Sequence, residues 1–207
     1  MKDTKERTTH LGHHPASEVH RIAFLGGSEW NEDSEVYKSA FETAKLLAQE
    51  GYEIVNGGGP GIMRASTKGA HAGGTESMAV TYVPNYRHKN YEGVDPENDF
   101  DEEVIALDYF DRTKIMLQNS DVHIIFRGGT GTISEFGMSW ASSRIHQGHN
   151  KPIILFGDFW NHIMKEFQTH MKVRPGELEL IKICTSPGEV VKYVNEIREL
   201  KKQRPVD

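Results

Sequence analysis

One arrangement recurs along this chain and restricts its fold more than any other feature. A short apolar run ends in a glycine-rich turn, and helical periodicity follows at once. Arg21-Ile22-Ala23-Phe24-Leu25 runs into Gly26-Gly27-Ser28, after which Val36, Ala40, Ala44, Leu47 and Ala48 recur at helical spacing and Gly51 ends the helix. Tyr52 to Val55 predict a second strand, which enters Gly57-Gly58-Gly59-Pro60-Gly61 and a helix from about Ile62 to Ala72. Ser77 to Val83 predict a third strand, and Val104 to Leu107 a short fourth one. Asp111 to Asn119 reads as a helix. Val122 to Phe126 then reads as a continuous apolar strand that enters Arg127-Gly128-Gly129-Thr130-Gly131-Thr132, with a helix to about His146. Pro152 to Phe156, two further helices and the strand Leu180 to Cys184 complete the pattern.

Alternating strands and helices imply an α/β fold. The expectation is a single-domain, Rossmann-like, mostly parallel sheet with helices on both faces. The 207 residues suit one such core. The predicted domain spans 20–203, preceded by a flexible arm over 1–19 whose His10, His13 and His14 read as a solvated tail. Residues 84–103 hold Asn, Pro, Asp and Glu with few apolar anchors and read as a long surface loop, either a lid or a solvated insertion.

Composition excludes several functions. The formal charge of -6 is the wrong sign for a general nucleic-acid binder. No apolar stretch approaches the ~20 residues of a membrane span, and no apolar leader opens the chain, so a cytoplasmic protein without membrane partners is expected. The lone Cys184 cannot form an internal disulfide and reads as an inert core thiol.

In doubly wound sheets ligands sit beyond the carboxyl ends of the strands, where the connections part to opposite faces. Both glycine clusters follow strands and open helices, so both belong on that edge. A helix start offers unpaired N–H groups and a partial positive charge, and glycines let a phosphate approach them. Two such turns therefore point to an anionic ligand. Neither has the G-x-G-x-x-G form of a dinucleotide site or a Walker A lysine, so the expected ligand is phosphorylated without being a triphosphate held in that way.

Two other residues support two readings each. Thr132-Ile133-Ser134-Glu135 has the form of a capping box, in which Glu135 reaches back to the helix start. The same carboxylate, one turn into the helix, is also within reach of whatever the loop holds. Arg112 begins the helix before the Val122 strand, where a cation opposes the helix dipole. Either an anionic ligand or the neighbouring Asp108 and Asp111 offsets it. Phe136, Trp140 and Ile145 read as either core or subunit interface.

Gly57-Gly58-Gly59-Pro60-Gly61-Ile62-Met63, then Arg112 with Met116, then Gly128-Gly129-Thr130-Gly131-Thr132-Ile133-Ser134-Glu135 resemble the LOG (Lonely Guy) family, once labelled possible lysine decarboxylases. The resemblance covers about Arg21 to Val194. It implies a Rossmann-like fold, usually a homodimer, and a phosphoribohydrolase that splits a nucleoside 5′-monophosphate into free base and ribose 5-phosphate. AMP or a cytokinin riboside monophosphate is the implied substrate, and the first turn's form favours AMP-like ones. The resemblance places the catalytic pair on Arg112 and Glu135, the phosphate loop on Gly128 to Thr132, and further nucleotide contacts on Gly26 and Ser28. Gly57, Gly58 and Gly59 form the other turn assigned to the nucleotide. The chain departs from the family at Arg127, where the motif has proline, and at Thr113, where a lysine often follows the arginine. Arg127 either adds a cation near the phosphate or points away.

Lysine decarboxylation fails on chemistry, because it normally needs a pyridoxal-bearing lysine and neither Lys68 nor Lys114 has a desolvated setting in the sequence. Glycosidic cleavage builds charge on the ribose ring, and for that step no cofactor or metal is expected. His123 and the histidines of 146–149 lack a ligand pattern such as H-E-x-x-H. The alternative is a non-catalytic nucleotide or pterin-cofactor carrier of the same fold.

Overall fold

The computed structural model describes residues 19–83, 93–145, 151–174 and 176–203. The elements in chain order are β1 (Arg21–Leu25), α1 (Glu35–Gln49), β2 (Glu53–Asn56), α2 (Ile62–Gly73), β3 (Ser77–Tyr82), β4 (Glu102–Ala106), α3 (Tyr109–Gln118), β5 (Val122–Ile125), α4 (Thr130–Ile145), β6 (Ile153–Phe156), α5 (Phe159–His170), β7 (Ile181–Cys184) and α6 (Pro187–Lys202). They build a seven-stranded sheet of order β4-β3-β2-β1-β5-β6-β7, in which each neighbouring pair runs parallel. The expected Rossmann-like architecture is what forms.

The strands read as apolar runs because the central ones are covered on both faces. On one face Phe24, Leu47, Ile54, Ile124 and Val190 share a core fed by α1, α2 and α6. On the other Leu25, Val55, Met116, Phe136 and Trp160 share a second core beneath α3, α4 and α5. α1 is capped by the Ser34 side chain accepting from the Tyr37 N–H, and α6 by Ser186 accepting from Glu189 with Pro187 in the first turn. Chain order reverses between β1 and β5, so their connections leave on opposite faces and a crevice opens at their carboxyl ends.

Several expectations need adjustment. Residues 1–18 and 84–92 lie outside the described residues, whereas Val19, assigned to the arm, is buried in the first core. Glu102 and Glu103, assigned to the loop, begin β4, and Leu107, assigned to the strand, lies beyond its end and is 88% exposed. The segment 93–101 is not a free surface loop. Asp95 N–H donates to the Gly58 carbonyl at 3.0 Å, the Asn98 amide to the Gly59 carbonyl at 2.8 Å, and Asp101 pairs with Ser77 in both directions. The Asp95 main chain and the Asn98 side chain thus satisfy carbonyls of the first glycine turn. Phe136 is core, Trp140 is half-buried with its indole N–H on the Glu177 carbonyl, and Ile145 is 74% exposed. β7 is an edge strand with partly exposed side chains, but its Cys184 is buried, and burial raises the thiol to about 11, as an inert core thiol requires.

Candidate functional site

The turns after β1, β2 and β5 meet at the crevice, where they enclose a cavity of about 470 Å³ lined by residues that include Gly26, Ser28, Gly57, Tyr109, Arg112, Gly128 to Thr132 and Glu135. That size suits a small-molecule ligand. The turns are locked together by backbone: Gly27 N–H donates to the Arg127 carbonyl at 3.1 Å, and Ile62 N–H, the first of α2, donates to the Gly27 carbonyl at 3.1 Å.

The two glycine clusters are built differently. In the first, Gly58 and Gly61 adopt φ of 70° and 65°, and a strained side chain would follow any substitution there. Gly58 N–H donates to Asn56 Oδ1 at 2.8 Å and Gly59 N–H to Met63 Sδ at 3.4 Å. Neither glycine lines the cavity. The amides of Gly58 and Gly59 thus have acceptors within the protein, unlike those at the start of α4. Gly57 lines the cavity, with its carbonyl taken by Arg112.

In the second cluster no glycine has positive φ, and Gly128, Gly129, Thr130 and Gly131 are exposed. The Ile133 N–H donates to the Gly129 carbonyl, so α4 begins here and its first amides have no acceptor within the helix. Gly128 must lack a side chain because a Cβ would lie 2.0 Å from Thr132 Oγ1 and 2.6 Å from Gly27 N. Both Thr130 and Thr132 line the cavity.

Thr132 lies inside α4, so the capping-box reading of Thr132 and Glu135 does not hold. Glu135 instead lies on the cavity wall, nearly buried, with Oε1 3.9 Å from Arg112 Nη1. Arg112 reaches over from α3. Its Nε donates to the Val80 carbonyl at 3.0 Å and its Nη2 to the Gly57 carbonyl at 3.0 Å. The aspartates beside it have other work: Asp108 caps α3 by accepting from Asp111 N–H, and Asp111 accepts from Leu107 N–H. Arg112 is therefore a cation tied to the carbonyls of two other elements, with its charge beside the Glu135 carboxylate.

Sequence reasoning missed Tyr109 and Trp30. The Tyr109 hydroxyl sits 2.7 Å from Ser134 Oγ and donates to the Gly131 carbonyl at 3.3 Å, bridging the starts of α3 and α4 at the cavity wall. Burial raises its phenol above the ordinary value, so it remains a donor. Nothing in the sequence distinguishes it from a core aromatic. Trp30 also lines the cavity and donates its indole N–H to the Arg127 carbonyl at 2.7 Å. Thr113 is fully buried, with its hydroxyl on the Tyr109 carbonyl at 3.3 Å, and it does not line the cavity.

Lys114 is exposed and Lys68 pairs with Glu32, so neither has the desolvated setting of a Schiff-base lysine. Lys151 is held below its ordinary pKa by burial, but it caps the end of α3 through the Leu117 and Gln118 carbonyls and does not line the cavity. Among the described residues no group of three or more His, Cys, Asp or Glu could hold a metal ion, and no helix is long and apolar enough to cross a membrane. His146 and His149 lie outside the described residues.

A crevice at the reversal point of a parallel sheet, with an arginine–glutamate pair beside an open helix start, defines a Rossmann-like protein carrying the LOG motif set. Residues 19–184 match the SLOG cluster4 family, and the chain belongs to that family. An uncharacterized protein of Archaeoglobus fulgidus is 31% identical over 150 residues, 72% of this chain and 88% of that protein. A Mycobacterium tuberculosis protein named cytokinin riboside 5′-monophosphate phosphoribohydrolase is 30% identical over 133 residues, 62% of this chain and 66% of that one. The resemblance to the LOG family thus extends beyond the motifs. Among solved structures, the molybdenum cofactor binding protein of Rippkaea orientalis superposes with a TM-score of 0.66 at 22% identity, over 87% of this chain and 98% of that one, a likeness of fold.

Proposed function

We propose that the protein hydrolyses the N-glycosidic bond of a nucleoside 5′-monophosphate, an AMP-like nucleotide ahead of a cytokinin riboside monophosphate, to give free base and ribose 5-phosphate. The observation that carries this reading is the shared cavity: the open start of α4 and the buried Arg112–Glu135 pair line the same space. The related mycobacterial protein bears the name of this activity.

In this reading the 5′-phosphate sits on the first amides of α4, with the Thr130 and Thr132 hydroxyls as further donors. The ribose then extends along the helix toward Glu135, one turn on. As the bond from C1′ to the base nitrogen lengthens, positive charge builds on the ribose ring. Glu135 stabilises that charge and orients a water, whose oxygen bonds to C1′ and whose proton goes to the departing base. Arg112 sets a positive charge beside that carboxylate. Binding at the remote phosphate positions the sugar for the reaction.

The test is incubation with AMP and a panel of nucleoside monophosphates, with mass detection of free base and ribose 5-phosphate. Release of both products is expected, and Glu135→Gln is expected to lower kcat by about 10²–10⁴-fold. Unchanged turnover in that variant removes Glu135 from the chemistry. A nucleotide or pterin held tightly and recovered intact makes the protein a carrier.

A further inference from the structure

We infer that Arg127 is the side chain that recognises the ligand's 5′-phosphate, and that it sets the preference for phosphorylated over unphosphorylated nucleosides. The inference rests on the hydrolase reading above and goes beyond it, because the family motif has proline at this position and assigns it no contact.

Charge balance in the cavity singles Arg127 out. The charged side chains of the lining are Arg112, Arg127, Glu29 and Glu135, so the lining is formally neutral. Arg112 is largely committed within the protein. Its Nε and Nη2 are committed to the Val80 and Gly57 carbonyls, and its charge faces Glu135. Arg127 has no ion-pair partner and no side-chain hydrogen bond among the described residues. It rests over two aromatic rings, with its guanidinium carbon 6.0 Å from the Trp30 ring centroid and 5.5 Å from that of Phe159. Ring contacts take up no hydrogen bond and leave the N–H donors for a ligand.

The backbone holds Arg127 beside the phosphate turn. It directly precedes Gly128, and its carbonyl accepts from both Gly27 N–H and the Trp30 indole N–H. The indole thus fixes the main chain of Arg127 and also supports its side chain. A guanidinium held in this way loses little entropy when it turns an edge to a phosphate, and the fork suits two phosphate oxygens. Without Arg127 the lining carries a net negative charge and repels the ligand it is meant to admit.

The test measures binding of AMP and of ribose 5-phosphate by calorimetry for the wild type, Arg127→Ala and Arg127→Lys, with KM and kcat for AMP alongside. Arg127→Ala is expected to weaken both ligands about tenfold or more, to raise KM more than it lowers kcat, and to flatten the salt dependence of binding. Arg127→Lys keeps the charge without the fork and is expected to fall between the two. Wild-type binding of both ligands by Arg127→Ala overturns the inference and leaves the hydrolase reading standing. A lowered Tm with unchanged affinity likewise overturns it, reducing Arg127 to a clasp between Trp30 and Phe159. Failure of the wild type to bind either ligand overturns the inference and the hydrolase reading together.

Discussion

The two glycine-rich turns have similar composition, follow the strands on either side of β1, and do opposite jobs. The turn from Gly57 to Gly61 is closed: it is largely buried, uses positive φ at two glycines, and gives its amides to Asn56 and Met63 while its carbonyls accept from Arg112 and the 93–101 segment. The turn from Gly128 to Gly131 is exposed, has ordinary φ throughout, and ends in a helix start that opens into the cavity. Glycine serves the first as a device for folding the chain onto itself and the second as a way to leave backbone uncovered. A glycine cluster therefore marks a close approach of backbone, and only the packing around it says whether a ligand or the protein itself does the approaching.

Substitutions can break this contrast. The largest effect is expected at Gly57, where an alanine Cβ would lie 1.6 Å from Arg112 Nη2. The guanidinium must leave, Glu135 loses its partner, and activity should fall about a hundredfold. Next is Gly61→Ala, which meets φ of +65° and the Gly27 carbonyl at 2.4 Å. It should cost about 1–3 kcal/mol in denaturant unfolding. Gly129→Ala in the open turn is the counterpart: nothing lies within 4 Å of its Cβ and its φ is ordinary. Its stability should stay within about 0.5 kcal/mol of wild type, so that any change appears in ligand affinity alone. Equal destabilisation at Gly61 and Gly129 would erase the distinction between the turns.

A second contrast runs along α4. Near its start, Glu135 borders the cavity. One turn on, Ser139 is buried and meets His123 Nδ1 at 2.6 Å. Burial, with help from Lys151, holds His123 neutral and depresses its pKa to about 3. Because the unfolded histidine titrates near 6.5, the folded state binds fewer protons below that value. Stability should be fully present above about pH 6.5 and fall by up to about 1.4 kcal/mol per unit toward pH 3 from this group. Replacing His123 with Asn should flatten that part of the profile, as thermal or denaturant unfolding across pH would show.

Much of this fold is legible in the chain because local patterns and tertiary structure agree. β1, β5 and their helices can be placed from apolar runs and glycine stops alone. The segment 93–101 misleads because Asp95, Asn98 and Asp101 satisfy backbone far away in sequence, which composition does not register. The site is legible to the extent that its parts are backbone turns. Glu135 is ambiguous in sequence because a capping box and a cavity-facing carboxylate share the same spacing, and only the start of α4 at Thr130 separates them. Tyr109, Trp30 and the resting place of Arg127 depend on which loops meet at the crevice, and no local pattern encodes that.

The most direct test is a crystal structure with AMP bound to the Glu135→Gln variant, which slows turnover. The phosphate is expected on the amides of Gly129 to Thr132, within reach of Arg127, with C1′ beside residue 135. Phosphate bound to the Gly58 and Gly59 amides, or a sugar directed away from residue 135, would contradict the account.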